Sequence, residues 1–368
     1  MAAIYANAAL TIVAAEGEDA AHGIRGIKSV SNPRSTLQRV FKLPDGIKAI
    51  QRQDSDIKRS HWSSRGWTYQ ESLFSKRKLI FLGGSAKWEC LCNAWYEYFD
   101  LELCELADER LDVFDSSKVE AFDFIKQLHQ RQVATFSAIS WPDITLYQSL
   151  VCDFSQTNFT YPEDVVDAFS GITTALSTVF QGGFLYGLPE MFPDIALLWR
   201  PKSEMKRRLP QRATNIPFQI PSWSWMGWHG AIDKSSWGSG ADYVKRSYTR
   251  IDLMISQRTI PTVKWTTSDK HRQVQQDIDS TWCLHNTLHL TNGLTSRQPD
   301  LPQGWSQYNY NCREDNSSSP ERRIPKYFFK HSSDSETEFW YPIPISEITP
   351  GPISPQLMPF ISCYTSRC

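Results

Sequence analysis

Apolar positions along this chain recur with two different spacings. Ala9–Ala14 (ALTIVA) is a short continuous apolar run with Thr, Ile and Val, bounded by Gly17. It predicts a strand buried on both faces, as in a parallel α/β sheet. The Ala-rich residues 1–8 read as the last turns of a helix. From Gly17 to Arg59 the pattern is mixed and polar, with Gly23, Gly26, Pro33, Pro44 and Gly46 as breakers, so loops with short elements are expected. Ser64 is the expected cap of a helix running to about Ser75. There Trp67, Gln70, Glu71 and Phe74 fall at i, i+3, i+4 and i+7 and share one face. Lys78–Leu82 and Ser85–Leu91 flank Gly83-Gly84, a hairpin signal because both glycines accept positive φ. In that hairpin Leu79 faces Trp88 and Lys78 faces Glu89, so apolar and opposite-charge pairs agree on one register.

Farther on the helical period dominates, then gives way to alternation. Ser117-x-x-Glu120 is a capping box opening a helix to about Ala138, with the stripe Val119, Phe122, Ile125, Leu128. Thr160-x-x-Glu163 is a second one, with Pro162 in the first turn. Its stripe is Val165, Phe169, Ile172, Leu176, Val179, ended by Gly182-Gly183. Pro193–Arg200 reads as a third short helix, although IALLW alone also suits a buried strand. Pro217–Asp233 alternates, predicting a strand with Trp223 and Trp225 on one side and Met226 and Trp228 on the other. Further strands are expected near 242–265 and 282–291. Gln298–Lys326 has the Pro, Ser, Asn, Gln and charge content of a disordered loop. Phe339–Pro344 (FWYPIP) reads as an edge strand, since its prolines forbid a central position.

Composition narrows the function classes. The 368 residues are 40% hydrophobic and 21% charged, a globular balance with room for more than one domain. Lys plus Arg is 39 against 40 Asp plus Glu, so no broad field attracts nucleic acid or an anionic membrane. No apolar run approaches the roughly 20 residues needed to span a bilayer. The apolar N-terminus lacks the basic start of a signal peptide, and Glu16, Glu18 and Asp19 follow it at once. The eight cysteines have no disulfide rhythm, and Cys90-x-Cys92 is not a zinc pair. Reduced thiols in a cytoplasmic protein are the expectation.

Little in the sequence carries chemistry. Gly83-Gly84-Ser85-Ala86-Lys87 lacks the spacing of a phosphate loop, and no Rossmann glycine pattern, nucleophile elbow or zinc-protease motif occurs. His22, His61, His129 and His229 are each alone in local sequence. The basic cluster Lys206–Arg212 reads as a solvated loop or, less simply, as a nucleic-acid contact. Trp223, Trp225 and Trp228 suit core packing or a stacking platform. Glu71 is the one candidate catalytic group. It shares a face with Trp67 and Phe74, so a buried carboxylate there needs partners, from backbone amides or from Arg65, Arg77 or Arg25. The other readings are a solvent-facing residue, or a carboxylate in an aromatic pocket able to act on a sugar–base bond.

The same residues carry a family resemblance. Tyr5–Ala20, His22–Ile27, Arg65-Gly66-Trp67-Thr68-Tyr69-Gln70-Glu71 and Trp88-Glu89-Cys90 closely resemble the second half of the heterokaryon incompatibility (HET) domain of filamentous fungi. Phe159–Asp164, Ala168–Ile172, Gly187–Glu190, Ala196–Trp199 and Pro221–Trp228 resemble the tail that often follows it. The blocks of the family's first half are not found, so an N-terminally truncated domain is expected. The implied plan is the C-terminal half of a HET domain at 1–92, a helical middle at 93–214, and a β-rich region at 215–368. The implied fold is a partial α/β sheet similar to the TIR (Toll/interleukin-1 receptor) type, followed by an α+β region. The resemblance implies nonself recognition and regulated cell death through protein–protein signalling, with an unidentified partner and no cofactor. Arg65, Gly66, Trp67, Gln70, Glu71, Trp88 and Glu89 are its binding or structural signature. The alternatives are a TIR-like NAD-cleaving enzyme using Glu71, or an inactive truncated paralogue.

Overall fold

The computed structural model describes residues 1–33, 40–42, 48–50, 57–91, 94–97, 142–180, 182–212, 220–237, 245–247, 263–269, 275–278, 301, 303–309, 327–332, 334–339 and 359–365. Helices and several small sheets mix in an α+β arrangement. The chain divides into two compact units. One is Met1–Ile139 with Thr157–Thr160, and the other is Ser140–Gln156 with Tyr161–Cys368. Residues 93–214 are thus shared between them, and the helix expected over 117–138 lies outside the described residues.

In the first unit, helix α1 (Ala2–Asn7) leads into β1 (Thr11–Ala14). A small hairpin, β2 (Val40–Lys42) and β3 (Lys48–Ile50), follows. Next come α2 (His61–Ser64), α3 (Gly66–Phe74) and three strands: β4 (Arg77–Leu82), β5 (Ser85–Cys90) and β6 (Ala94–Tyr96). The sheet order is β1-β4-β5-β6. β1 runs parallel to β4, as a continuous apolar run predicts, while β4–β5 and β5–β6 are antiparallel. The hairpin forms in the expected register, Leu79 opposite Trp88 and Lys78 opposite Glu89. Gly83 (φ 60°) and Gly84 (φ 73°) make its turn. β6 went unrecognised in the sequence because three residues give no period.

One expectation fails at β1. Val13 is 1% exposed but Ile12 is 59% exposed, so the strand is buried on one face only. Among the described residues β1 ends the sheet, and the core of Val13, Ala15, Ile80, Ile57, Trp62 and Leu82 lies on one side. The helix cap also moves. Ser60, not Ser64, accepts the Ser63 amide and opens α2. The chain then turns at extended Arg65 and restarts as α3. Thr68 Oγ1 holds that joint through the carbonyls of Arg65, at 2.8 Å, and Trp62.

The second unit is organised by aromatic rings. Asp143 caps α4 (Ile144–Phe154) by accepting from the Thr145 and Leu146 amides at 2.9 and 3.2 Å. The α5 (Val165–Leu176) stripe Val165, Phe169, Ile172 and Leu176 is fully buried, as its period predicts. Phe169 lies 4.8 Å from Phe154 and 5.0 Å from Trp225, ring centre to ring centre. Two short strands, β7 (Phe184–Leu185) and β8 (Leu188–Pro189), are joined by Tyr186 and Gly187, both at positive φ. A Cβ on Gly187 would stand 2.6 Å from Met226 Cε and 2.9 Å from Trp225 Cζ2, at a positive φ that side chains rarely adopt. Helix α6 (Pro193–Ala196) is shorter than Pro193–Arg200.

β9 (Lys206–Arg207) pairs with β10 (Trp228–His229). The C-terminal region forms two antiparallel sheets. β11 (Lys245–Ser247), β16 (Asp334–Phe339), β15 (Tyr327–His331) and β14 (Trp305–Asn309) make one. β13 (Gln275–Ile278), β12 (Val263–Ser268) and β17 (Phe360–Thr365) make the other. β14 falls inside the stretch expected to be a disordered loop. The strand expected at 282–291 lies outside the described residues, and of the one expected at Phe339–Pro344 only Phe339 is described, as the end of β16. Two local readings are corrected. The alternation over Pro217–Asp233 is not one continuous strand: adjacent Trp225 and Met226 are both buried, because Ser224 Oγ accepts the Met226 amide and turns the chain, and only Trp228–His229 pairs as β10. The second capping box does not close on itself, since Glu163 accepts instead from the amides of Gln211 and Arg212 at 3.1 and 2.9 Å.

Candidate functional site

The signature residues divide between two places in the first unit. On α3, Gly66, Thr68 and Gln70 are the buried positions, while Trp67, Glu71 and Phe74 are half-buried. The face predicted from the helical period is therefore rotated. Gly66 explains the rotation: Thr157–Thr160 returns beside it, the Gly66 amide donates to the Asn158 carbonyl at 2.9 Å, and the Asn158 amide donates to the Ser64 carbonyl at 2.7 Å. A Cβ on Gly66 would fall 1.9 Å from Phe159 Cζ. Two motifs ninety residues apart, Arg65-Gly66 and Phe159, thus form one contact. Nothing in the local pattern of either could reveal it.

Glu71 finds a partner that sequence reasoning missed. It is Tyr5 of α1, whose hydroxyl feels the Glu71 carboxylate. Burial raises the Tyr5 pKa above the usual phenol value, and the charge and hydrogen bond of Glu71 raise it further, against an opposing pull from Arg65. Tyr5, Arg65 and Glu71 are therefore close neighbours, with Arg65 exposed. The arrangement sets a phenol of α1 beside a carboxylate of α3, and it offers a cation and an acid to anything that settles beside them.

The second place is the sheet. On its core face Lys78 and Glu89 are 6% and 4% exposed. Lys78 Nζ lies 3.0 Å from Glu89 Oε2 and 3.3 Å from both the carbonyl and the hydroxyl of Ser72. Glu89 Oε1 also pairs with Lys87. This buried Lys–Glu–Lys set ties the end of α3 to the hairpin and explains why Glu89 is an acid. On the opposite face the registers align Ile12, Leu79, Trp88 and Trp95 in one row across all four strands. Ile12 and Trp95, at its ends, are 59% and 57% exposed. Trp88 thus sits in the open row, and Glu89 in the closed one.

The candidates of the second unit resolve into packing. Arg207 donates to the carbonyls of Gly227, at 2.7 Å, and Ile220, and its guanidinium sits over Trp228. Arg208 donates to the carbonyls of Trp228 and Ser155, both at 3.1 Å, and burial lowers its pKa to about 10. Arg212 pairs with Asp164 at 2.7 Å and stacks on Tyr161. The three arginines of the basic cluster are thus engaged by other groups of the same unit. Trp225 is a core residue, whereas Trp223 and Trp228 donate to the carbonyls of Pro359 and Ser222. Leu185, Leu188, Pro193, Trp223, Ile278 and Ile361 line a half-open pocket of about 20 Å³, room for little more than one water. Among the described residues no three His, Cys, Asp or Glu side chains cluster as metal ligands, and no helix is long and apolar enough to cross a membrane. Cys90, Cys152 and Cys363 are free thiols.

These features define an α+β protein whose first unit carries a parallel β–α–β turn, a helix locked by a returning segment, and an open apolar sheet face. Residues 1–71 match the model of a family described as heterokaryon incompatibility protein (HET). Arg65, Gly66, Trp67, Gln70 and Glu71 lie inside that match; Trp88 and Glu89 follow it. No curated protein and no solved structure matches the chain.

Proposed function

We propose that this chain acts in fungal nonself recognition, triggering regulated cell death in the cytoplasm through contact with a protein partner. The observation that carries this reading is the row Ile12–Leu79–Trp88–Trp95, with both end residues more than half exposed. Contiguous apolar surface with aromatic side chains is the composition of a protein-binding face. The HET match over residues 1–71 supports the biological role. The parallel β1–β4 pair with its helical crossover is compatible with a TIR-like sheet, a likeness that bears on fold and not on activity. The test is inducible expression of the full chain in a filamentous fungus, with hyphal viability as the readout. Wild type should kill, and Trp95→Ser, at equal protein level, should not. Survival with wild type, or killing by Trp95→Ser, overturns the reading.

A second reading, cleavage of NAD with Glu71 as the acting carboxylate, is favoured by the half-buried position of Glu71 beside Arg65 and Tyr5. It requires purified chain to release nicotinamide from NAD, and Glu71→Gln to abolish that release.

A further inference from the structure

We propose that the loop of residues 26–32 docks on a bilayer rich in anionic lipid, inserting Ile27 and Val30 into its surface. The proposal goes beyond the protein-contact reading above and does not depend on it. The loop is held by its own hydrogen bonds. The Gly26 amide donates to the Asn32 carbonyl at 2.8 Å and closes the base. The Ile27 amide donates to Ser31 Oγ at 3.0 Å, and the Ile27 carbonyl accepts from the amides of Val30 and Ser31 at 3.1 and 3.0 Å. Ser29 stands at φ 63°, a conformation that side chains adopt only at a cost. At the tip Ile27 is 45% and Val30 78% exposed, and Lys28 is exposed beside them.

Backbone pairing, size and charge select a lipid surface as the occupant. The amides of Gly26, Ile27, Val30 and Ser31 are already bonded inside the loop, so they enter an apolar interface without losing a partner. Two β-branched side chains on a loop tip fall far short of the roughly 1,200 Å² of a standard protein interface, whereas a fluid bilayer closes around them without matching their shape. Burial that shallow is marginal alone and becomes stable with a second, electrostatic signal. Whole-chain charge is balanced, but from 23 to 44 the sequence holds Arg25, Lys28, Arg34, Arg39 and Lys42 and no Asp or Glu. Arg25 stands at the base of the loop and Lys28 at its tip. Each basic residue near an anionic bilayer strengthens binding about fivefold. Nucleic acid would attract the same cations, but it gives an exposed valine and isoleucine nothing to enter.

The test is flotation of the purified full chain with phosphatidylcholine vesicles holding about 30% phosphatidylserine, against vesicles of phosphatidylcholine alone. We expect capture by the anionic vesicles, release as salt rises from about 0.1 to 1 M, and slowed amide exchange in the loop on the vesicles. Ile27→Ser/Val30→Ser removes the apolar tip, and Lys28→Glu reverses its charge. Each should weaken capture at least about tenfold. Neither should move the unfolding temperature, since all three side chains are exposed. A chain that ignores anionic vesicles, that binds neutral ones equally, or that binds with no protection of the loop overturns the proposal. So does capture that survives Ile27→Ser/Val30→Ser and falls only with Lys28→Glu, the mark of anion attraction alone. Displacement of the vesicles by a short DNA duplex at equal phosphate concentration overturns it as well.

Discussion

At the scale of single residues, Gly66 and Glu89 make opposite demands. Gly66 is a glycine because the Phe159 ring occupies the place of a side chain, not because the backbone needs positive φ. Gly66→Ala should therefore cost about 1–3 kcal/mol by overpacking. Phe159→Ala should relieve part of that cost in the double mutant, a coupling that denaturant unfolding of the four proteins measures. Glu89 stands between two lysines, one of them buried. Glu89→Gln leaves Lys78 buried without its charge partner and should destabilise by about 3–5 kcal/mol, whereas Lys78→Met/Glu89→Met should be far milder. Only the second of these roles was legible beforehand. The Lys78–Glu89 pairing follows from a two-residue turn, a local rule. The Gly66–Phe159 contact depends on a return of the chain that no local rule encodes.

At the scale of elements, the turns and periods that repeat were readable, and the singular ones were not. The Gly83-Gly84 hairpin and the α5 stripe came through because each signal is written several times over. The stretch after Pro221 misled because alternation of Trp and Ser is also what a Ser-capped turn produces. Two titrating side chains bind elements together in the second unit, with opposite pH signatures. Burial, aided by the charges of Arg208 and Lys206, lowers the pKa of His229 on β10 from 6.5, against the pull of its bond to the Gln156 carbonyl. Its contribution is complete above pH 6.5 and is lost as pH falls from there toward the folded value. Burial raises the pKa of Asp194 on α6 from 3.8, against the 2.6 Å hydrogen bond donated by Trp265. Stability therefore declines as pH rises from 3.8 through the folded value. Melting temperatures across mildly acidic to neutral pH should show His229→Gln flattening the acid-side loss. Asp194→Asn, which keeps an acceptor for Trp265, should raise the melting temperature at neutral pH.

At the scale of the whole molecule, two units carry different kinds of stability. The second has a dense aromatic core around Trp225. Among the described residues of the first, Val13, Ala15 and Ile80 form a buried cluster. Ile80→Ala, at 2% exposure, should cost about 2–5 kcal/mol and unfold the first unit at lower temperature than the second, giving two calorimetric transitions. A run of apolar residues specifies pairing, but whether a second layer covers it is a property of the rest of the fold.

The return of Thr157–Thr160 to Ser64–Gly66 has a consequence for how the gene can be cut. A polypeptide ending before residue 157 lacks the piece that seats the α2–α3 joint, although it contains every strand of that sheet. Residues 1–97 and 142–368, co-expressed as separate polypeptides, retain the backbone bonds at Asn158 and should copurify. Fragment complementation, rather than truncation, is the way to dissect this chain.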